Sequence, residues 1–138
     1  MPETKPNIEN LSKMQYKVTQ EKYTEHPFTG KFNRFKEQGT FMCVVCGQEL
    51  FRSNHKFESG CGWPAFYDSI DPTRVREVRD ESAGMIRTEV LCSNCGAHLG
   101  HVFNDGPKPT RRRFCINSVA MKFVALDGAT IEDKGCSL

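Results

Sequence analysis

No stretch of this 138-residue chain approaches the roughly 20 consecutive apolar residues of a membrane span. Nor is there an excess of one charge. Nineteen Lys and Arg stand against 17 Asp and Glu, a net +2. That balance gives no electrostatic reason to expect nucleic acid as a partner. There is no low-complexity tract, and no Pro/Gly/Ser-rich linker divides the chain. The first residues, Met1-Pro2-Glu3-Thr4-Lys5-Pro6, lack the apolar core of a secretory signal. The expectation is therefore a soluble cytoplasmic protein. Residues 1–10 read as a flexible tail and 11–138 as a single domain.

What the sequence has in quantity is cysteine. The seven are Cys43, Cys46, Cys61, Cys92, Cys95, Cys115 and Cys136. In a reducing cytosol a disulfide scaffold is disfavoured. An odd count points the same way, so these thiols are expected to hold metal or to react.

Local patterns predict a strand-rich fold with a short helix in front. Ser12 and Gln15 fit a capping box, with Leu11 and Tyr16 spaced as a hydrophobic staple, which predicts a helix from about Lys13 to Glu21. His26-Pro27-Phe28-Thr29-Gly30 interrupts any regular element. Strands are predicted at Thr40–Val45, Glu49–Ser53, Val75–Arg79, Met85–Cys92 and His98–Phe103. Trp63–Asp68 reads as a single helical turn. Arg113–Leu126 reads as one bent strand or two, and the last dozen residues are small and polar.

Two segments share the form C-x-x-C-G: Cys43-Val44-Val45-Cys46-Gly47 and Cys92-Ser93-Asn94-Cys95-Gly96. Two intervening residues let both sulfurs of a pair reach one ion. The following glycine permits the left-handed turn beneath it. Four thiolates suit a closed tetrahedral Zn²⁺ with a structural role, one ion per chain. Iron in a rubredoxin-like site and a Cys₃His set using His98 are the alternatives. Redox C-x-x-C pairs open helices in βαβ units, whereas both pairs here lie between predicted strands.

Cys61, Cys115 and Cys136 remain. Cys115 follows Arg111-Arg112-Arg113-Phe114, and neighbouring guanidinium groups would lower its pKa. A buried strand cysteine beside a solvated basic patch is the competing reading. Cys61 lies between glycines in Ser59-Gly60-Cys61-Gly62-Trp63-Pro64, a flexible loop. It reads either as a resolving thiol or as an inert loop residue. Trp63, the sole tryptophan, is either core or a pocket wall. His98 and His101 are candidate acids or bases. Their odd spacing would place them on opposite faces of a strand, unless Gly100 marks a bulge.

Taken together, these residues resemble the methionine-R-sulfoxide reductases, the B type of methionine sulfoxide reductase. The resemblance runs from about Tyr23 to Ala125 and includes Cys92-Ser93-Asn94-Cys95-Gly96-Ala97-His98-Leu99-Gly100-His101-Val102-Phe103-Asn104-Asp105-Gly106-Pro107 and Arg113-Phe114-Cys115-Ile116-Asn117-Ser118. It implies a mainly β fold of two antiparallel sheets with short N-terminal helices and a structural Cys₄ zinc site. It implies Cys115 as nucleophile, Cys61 as resolving cysteine and Trp63 as the wall that receives the substrate methyl group. His98, His101, Phe103, Asp105, Arg113 and Asn117 would complete the site, with Asp105 orienting a histidine and Asn117 positioning the thiol or bonding the sulfoxide oxygen. The substrate would be methionine sulfoxide, free or within an oxidised protein, and the reductant thioredoxin. Cys136 matches no motif of the family. The rival readings are a zinc-ribbon module binding RNA or protein, supported by Arg111–Arg113 and fourteen aromatic residues, and a peroxide-sensing thiol protein.

Overall fold

The computed structural model describes residues 8–135. Residues 1–7 of the expected tail, and Cys136, lie outside that range. Helix α1 spans Lys13–Glu21 and starts where the capping box placed it. The Ser12 hydroxyl accepts from the Gln15 amide, and the Gln15 side chain accepts from the Ser12 amide. It ends at Lys22 in the left-handed conformation. Its inner face carries Gln15, Val18 and Thr19, while Tyr16 of the expected staple remains exposed.

The ten strands are β1 (Gly39–Cys43), β2 (Glu49–Arg52), β3 (Lys56–Phe57), β4 (Ala65–Phe66), β5 (Val75–Asp80), β6 (Arg87–Cys92), β7 (His98–Phe103), β8 (Arg113–Ile116), β9 (Met121–Ala125) and β10 (Thr130–Glu132). They form two sheets. One has the order β10-β9-β1-β2, the other β3-β4-β8-β7-β6-β5, and every pairing is antiparallel. The mainly β, two-sheet expectation therefore holds, with one helix among the described residues rather than several.

One local expectation changes and two are sharpened. Trp63–Asp68 is not a helical turn, because Ala65 and Phe66 pair with Cys115 and Phe114 of β8. A two-residue strand has almost no local signal and exists through its partner. Arg113–Leu126 divides at a 3₁₀ turn, Ser118–Ala120, and its two halves, β8 and β9, join different sheets. The polar C-terminal stretch supplies β10, an edge strand on β9.

Phenylalanines join the sheets. Phe41, Phe51 and Phe123 come from the four-stranded sheet, and Phe66 and Phe114 from the six-stranded one. All five are buried. Phe51 stacks on Phe66 with centroids 4.4 Å apart, and Phe41 meets Phe66 edge-on at 5.1 Å. Contacts of this kind contribute beyond simple burial. Because Phe114 and Ile116 point into this core, the alternation of β8 turns Cys115 to the other face.

Candidate active site and metal centre

The two C-x-x-C-G segments are tips of hairpins, one in each sheet. Cys43 ends β1 and Cys92 ends β6, and both tips fold by the same hydrogen bonds. Gly47 N–H donates to Cys43 O and Gly96 N–H to Cys92 O, each at 2.8 Å. Both glycines have positive φ, 82° and 77°, which a side chain would resist. The four sulfurs lie within 4.8 Å of one another, with Cys43–Cys95 and Cys46–Cys92 each at 3.6 Å. A tetrahedron with Zn–S bonds of about 2.3 Å has sulfur–sulfur edges of about 3.8 Å, so the donor set fits a metal ion. Gln48 ties the two tips together, its amide donating to Arg74 O at 2.8 Å and to Ser93 Oγ at 3.0 Å.

The second sulfur cluster is a pair. Cys61 Sγ and Cys115 Sγ are 3.2 Å apart, both as free thiols. They form part of a cavity of about 260 Å³ whose walls include Trp63, His101, Phe103 and Arg113. Cys115 lies opposite His101 across β7 and β8. Gly100 permits that approach, since a Cβ there would collide with the Cys115 carbonyl. Cys61 lies between Gly60 and Gly62, both at positive φ. A Cβ at Gly60 would meet nothing within 4 Å, so the loop is open on that side. At Gly62 a Cβ would lie 2.6 Å from Pro27, and the Phe28 amide donates to Gly62 O at 2.7 Å.

The thiol contact reverses the expectation for Cys115. The hydrogen bond with Cys115 pulls Cys61 down to about 5, with Ser59 and Arg113 assisting. The same bond, reinforced by burial, pushes Cys115 well above a thiol's ordinary value despite Arg113. Two thiols sharing one proton behave this way: the first ionises easily and the second with difficulty. In this arrangement the charge rests on Cys61.

His98 and His101 fall on the same side, with ring centroids 5.6 Å apart. The pairing of β6 with β7 shifts between Val90–Gly100 and Leu91–His98, which makes Leu99 the bulged residue. The bulge cancels the odd spacing. Their partners differ. His101 Nε2 lies 2.7 Å from Asp80 Oδ2. Asp80 is 5% exposed, also accepts from the Ser82 amide, and pairs with Arg87. These contacts, His101 first, hold its carboxyl far below the usual range, so it stays ionised. His98 is 2% exposed, with Nδ1 2.7 Å from Glu89, and Glu89 in turn meets Lys22. Burial lowers the His98 pKa against the pull of Glu89. His98 is not among the residues lining the cavity.

Asp105 does not meet a histidine. It takes a two-point hydrogen bond from Arg113, at 2.8 and 3.1 Å, and Arg113 lies over the Phe103 ring at 4.5 Å. Asp80 occupies the place beside histidine that was expected for Asp105. Asn117 is buried with both ends of its amide engaged. Nδ2 donates to Leu99 O and Oδ1 accepts from the Glu25 amide, each at 3.0 Å. Trp63 donates from its indole to Glu25 O at 3.0 Å. Glu25 is itself buried, and lack of solvation raises its carboxyl to about 7. Asp80 and Glu25 were both missed by sequence reasoning. They stand 21 and 38 residues from the groups they touch, and no spacing rule links them.

Residues 11–125 match the SelR domain. The chain belongs to the SelR-domain family, the methionine-R-sulfoxide reductases. A protein of Pseudomonas putida (strain W619) named peptide methionine sulfoxide reductase MsrB is 57% identical over 119 residues, covering 86% of this chain and 90% of its own length. One of the same name from Hahella chejuensis is 51% identical over 120 residues, covering 87% and 86%. The Drosophila melanogaster protein named methionine-R-sulfoxide reductase B1 is 52% identical over 132 residues, covering 87% of this chain and 64% of its own length. The family match begins at residue 11, two residues before α1, and ends with the last residue of β9, so it takes in both sulfur clusters.

Proposed function

We propose that this chain reduces the R-sulfoxide of methionine to methionine with thiol electrons, at Cys115. The observation that carries the reading is the Cys61–Cys115 contact of 3.2 Å in a cavity that Trp63 and the Asp80-paired His101 also line. The sulfoxide sulfur is electrophilic, but its oxygen leaves poorly, so the reaction needs a thiolate at sulfur and a proton at oxygen. Substrate entering over Trp63 separates Cys61 from Cys115. Cys115 then loses the partner that raises its pKa and keeps Arg113, which lowers it. With Nε2 held against ionised Asp80, His101 delivers a proton from its other ring nitrogen to the oxygen. Asn117, whose amide is engaged at both ends, and His98, whose Nδ1 is held by Glu89, act by positioning β7 and β8.

The sulfoxide S–O bond breaks as its oxygen passes to the Cys115 sulfur. Methionine departs as the reduced thioether, and Cys115, oxidised by two electrons, is left as sulfenic acid. Cys61 attacks that sulfur, the Cys115 S–O bond breaks, and the oxygen leaves as water. Overall, sulfoxide plus two thiols gives thioether, disulfide and water. An external dithiol, for which the family resemblance indicates thioredoxin, reopens the disulfide. The cytoplasm supplies such a reductant. The ion held by Cys43, Cys46, Cys92 and Cys95 is zinc in this reading and holds the two sheets in register.

The binding-module reading has less support. Two of its three consecutive arginines are committed within the chain, Arg112 to Glu77 and Arg113 to Asp105. The discriminating experiment is turnover of separated R and S epimers of N-acetyl methionine sulfoxide with dithiothreitol. Turnover of R alone is expected. Absence of R turnover, or equal turnover of both, would refute the assignment.

A further inference from the structure

Glu25 has no place in the chemistry above, yet it touches two walls of the site. Its backbone oxygen accepts the Trp63 indole N–H, and its backbone N–H donates to Asn117 Oδ1, both at 3.0 Å. Thr24, its neighbour, lines the same cavity. Those backbone groups would exist with any residue at position 25. What is particular to glutamate is the side chain, which runs inward and accepts from the Val119 amide at 3.0 Å.

Val119 lies in the 3₁₀ turn that follows Asn117, four residues beyond Cys115. The carboxyl is enclosed. Residue 25 is only 3% exposed, Oε2 has no hydrogen-bond partner, and a Cβ on Gly30 would lie 2.5 Å from that oxygen. Burying a carboxyl is costly, and the hydrogen bond it accepts from Val119 offsets part of that cost. The raised carboxyl pKa fits this enclosure and lets the neutral acid be present near neutral pH.

From these contacts we propose that Glu25 is a positioning residue for substrate: its side chain pins the Thr24–Glu25 arm to the turn after β8, and the pinned backbone fixes Trp63 and Asn117 against the cavity. The inference rests on the reading of this cavity as the sulfoxide site. The separation of roles is specific. Glu25 makes no hydrogen bond to the thiols, His101 or Asp80 and reaches Cys115 only through its charge, which raises that thiol's pKa. Removing its side chain should therefore loosen the apolar wall and leave the reacting groups in place, and Glu25→Gln separates loss of the charge from loss of the acceptor.

Because Trp63 is the sole tryptophan in the chain, its fluorescence reports on the wall without any turnover. The test compares Glu25→Leu, Glu25→Asp and Glu25→Gln with wild type, each confirmed folded by circular dichroism and by metal content. Leu has no acceptor, and Asp is too short by a methylene to reach Val119. Both should red-shift Trp63 emission and raise its quenching by acrylamide about twofold, as expected for an indole released from a fixed contact. Both should also raise KM for the R-sulfoxide roughly tenfold with kcat within about threefold, the pattern of lost ground-state and transition-state binding together. Gln keeps the acceptor without the charge and should restore both readouts. If Glu25→Leu does not fold, Glu25→Asp carries the test. Wild-type fluorescence and KM in a folded Asp or Leu variant overturn the proposal, as does a lowered melting temperature with no change in either. Absence of R-sulfoxide turnover in the wild type would instead refute the sulfoxide reading, while the Trp63 and quenching results would still decide whether Glu25 holds the wall.

Discussion

The chain brings sulfur atoms together in two places, and the two are built in opposite ways. In the four-cysteine cluster each pair is held by a hairpin tip, the tips repeat the same hydrogen bonds, and Gln48 bridges them. Three of its four cysteines are buried. In the Cys61–Cys115 pair only Cys115 is on a strand. Cys61 stands in a loop whose Gly60 faces open space. The first arrangement fixes sulfurs at metal-bonding separations. The second leaves one sulfur on a loop that is open at Gly60, as the proposed resolving role requires. In the proposed reading, backbone constraint around the thiol, more than distance between thiols, separates a metal site from a redox pair.

The largest test of this contrast exchanges one cysteine in each cluster. Cys115→Ser should reduce R-sulfoxide turnover by more than about 1000-fold, the scale seen when a nucleophile is removed. Metal content and melting temperature should match wild type. Cys46→Ser should do the reverse in kind, losing the metal and lowering the melting temperature by about 10 °C or more, because a structural metal supplies folding free energy. Elemental analysis and thermal melts read both. A metal-free chain that melts where the loaded one does would break the comparison, and so would a Cys115→Ser variant that keeps turning over.

Smaller effects should follow at Cys61. Cys61→Ser should retain dithiothreitol-driven turnover and lose at least about tenfold with thioredoxin, since the sulfenic acid then lacks its internal partner. The shared proton gives a second signature. In the unfolded chain both thiols ionise near 9.0, whereas in the fold Cys61 ionises near about 5 and Cys115 far above 9.0. Between those two values the folded pair carries a charge that the unfolded chain does not. The unfolded state therefore binds more protons, and stability rises with pH across that window. Below about 5 the contribution is gone. Above 9.0 the unfolded chain ionises both thiols and the trend reverses. Melting temperatures of reduced wild type from pH 5 to 9 should rise relative to those of Cys61→Ser. Parallel curves would mean that the thiols do not share a proton.

The sequence made the two clusters unequally visible. The four-cysteine cluster was legible because each knuckle is five residues long and its glycine carries a local backbone requirement. Helix α1 was legible for the same reason, its capping box being four residues long. The catalytic candidates could be named, but their partners could not. Asp80 reaches His101 only because β5, β6 and β7 lie side by side, and Asp105 was the nearer guess along the chain. The facing of His98 and His101 depended on a bulge at Leu99, not at the glycine that suggested one. Strands β3, β4 and β10, two or three residues long, arise from pairing and have little propensity of their own. The ionisation order of Cys61 and Cys115 depends on a contact across 54 residues, which the adjacent arginines could not indicate.

The smallest test uses two glycines that differ mainly in which cluster they serve. Gly96 has φ 77° and Gly60 φ 75°. A methyl group at Gly96 would come no closer than 3.9 Å to Arg76, and one at Gly60 would touch nothing within 4 Å. Alanine at either position therefore introduces the same penalty, about 1–2 kcal/mol for a left-handed backbone, with no clash. Where the penalty appears should differ. Gly96→Ala should weaken metal retention against a chelator by roughly tenfold, the equivalent of about 1.4 kcal/mol, and leave R-sulfoxide turnover with dithiothreitol unchanged. Gly60→Ala should leave metal retention unchanged and slow closure of the Cys61–Cys115 disulfide several-fold, measured by single-turnover acid quench and thiol counting. A loop that moves must pass through several backbone states, and alanine removes some of those open to glycine. If Gly60→Ala closes the disulfide at the wild-type rate, Cys61 makes its approach without that freedom, and the two clusters differ less in mobility than their backbones imply.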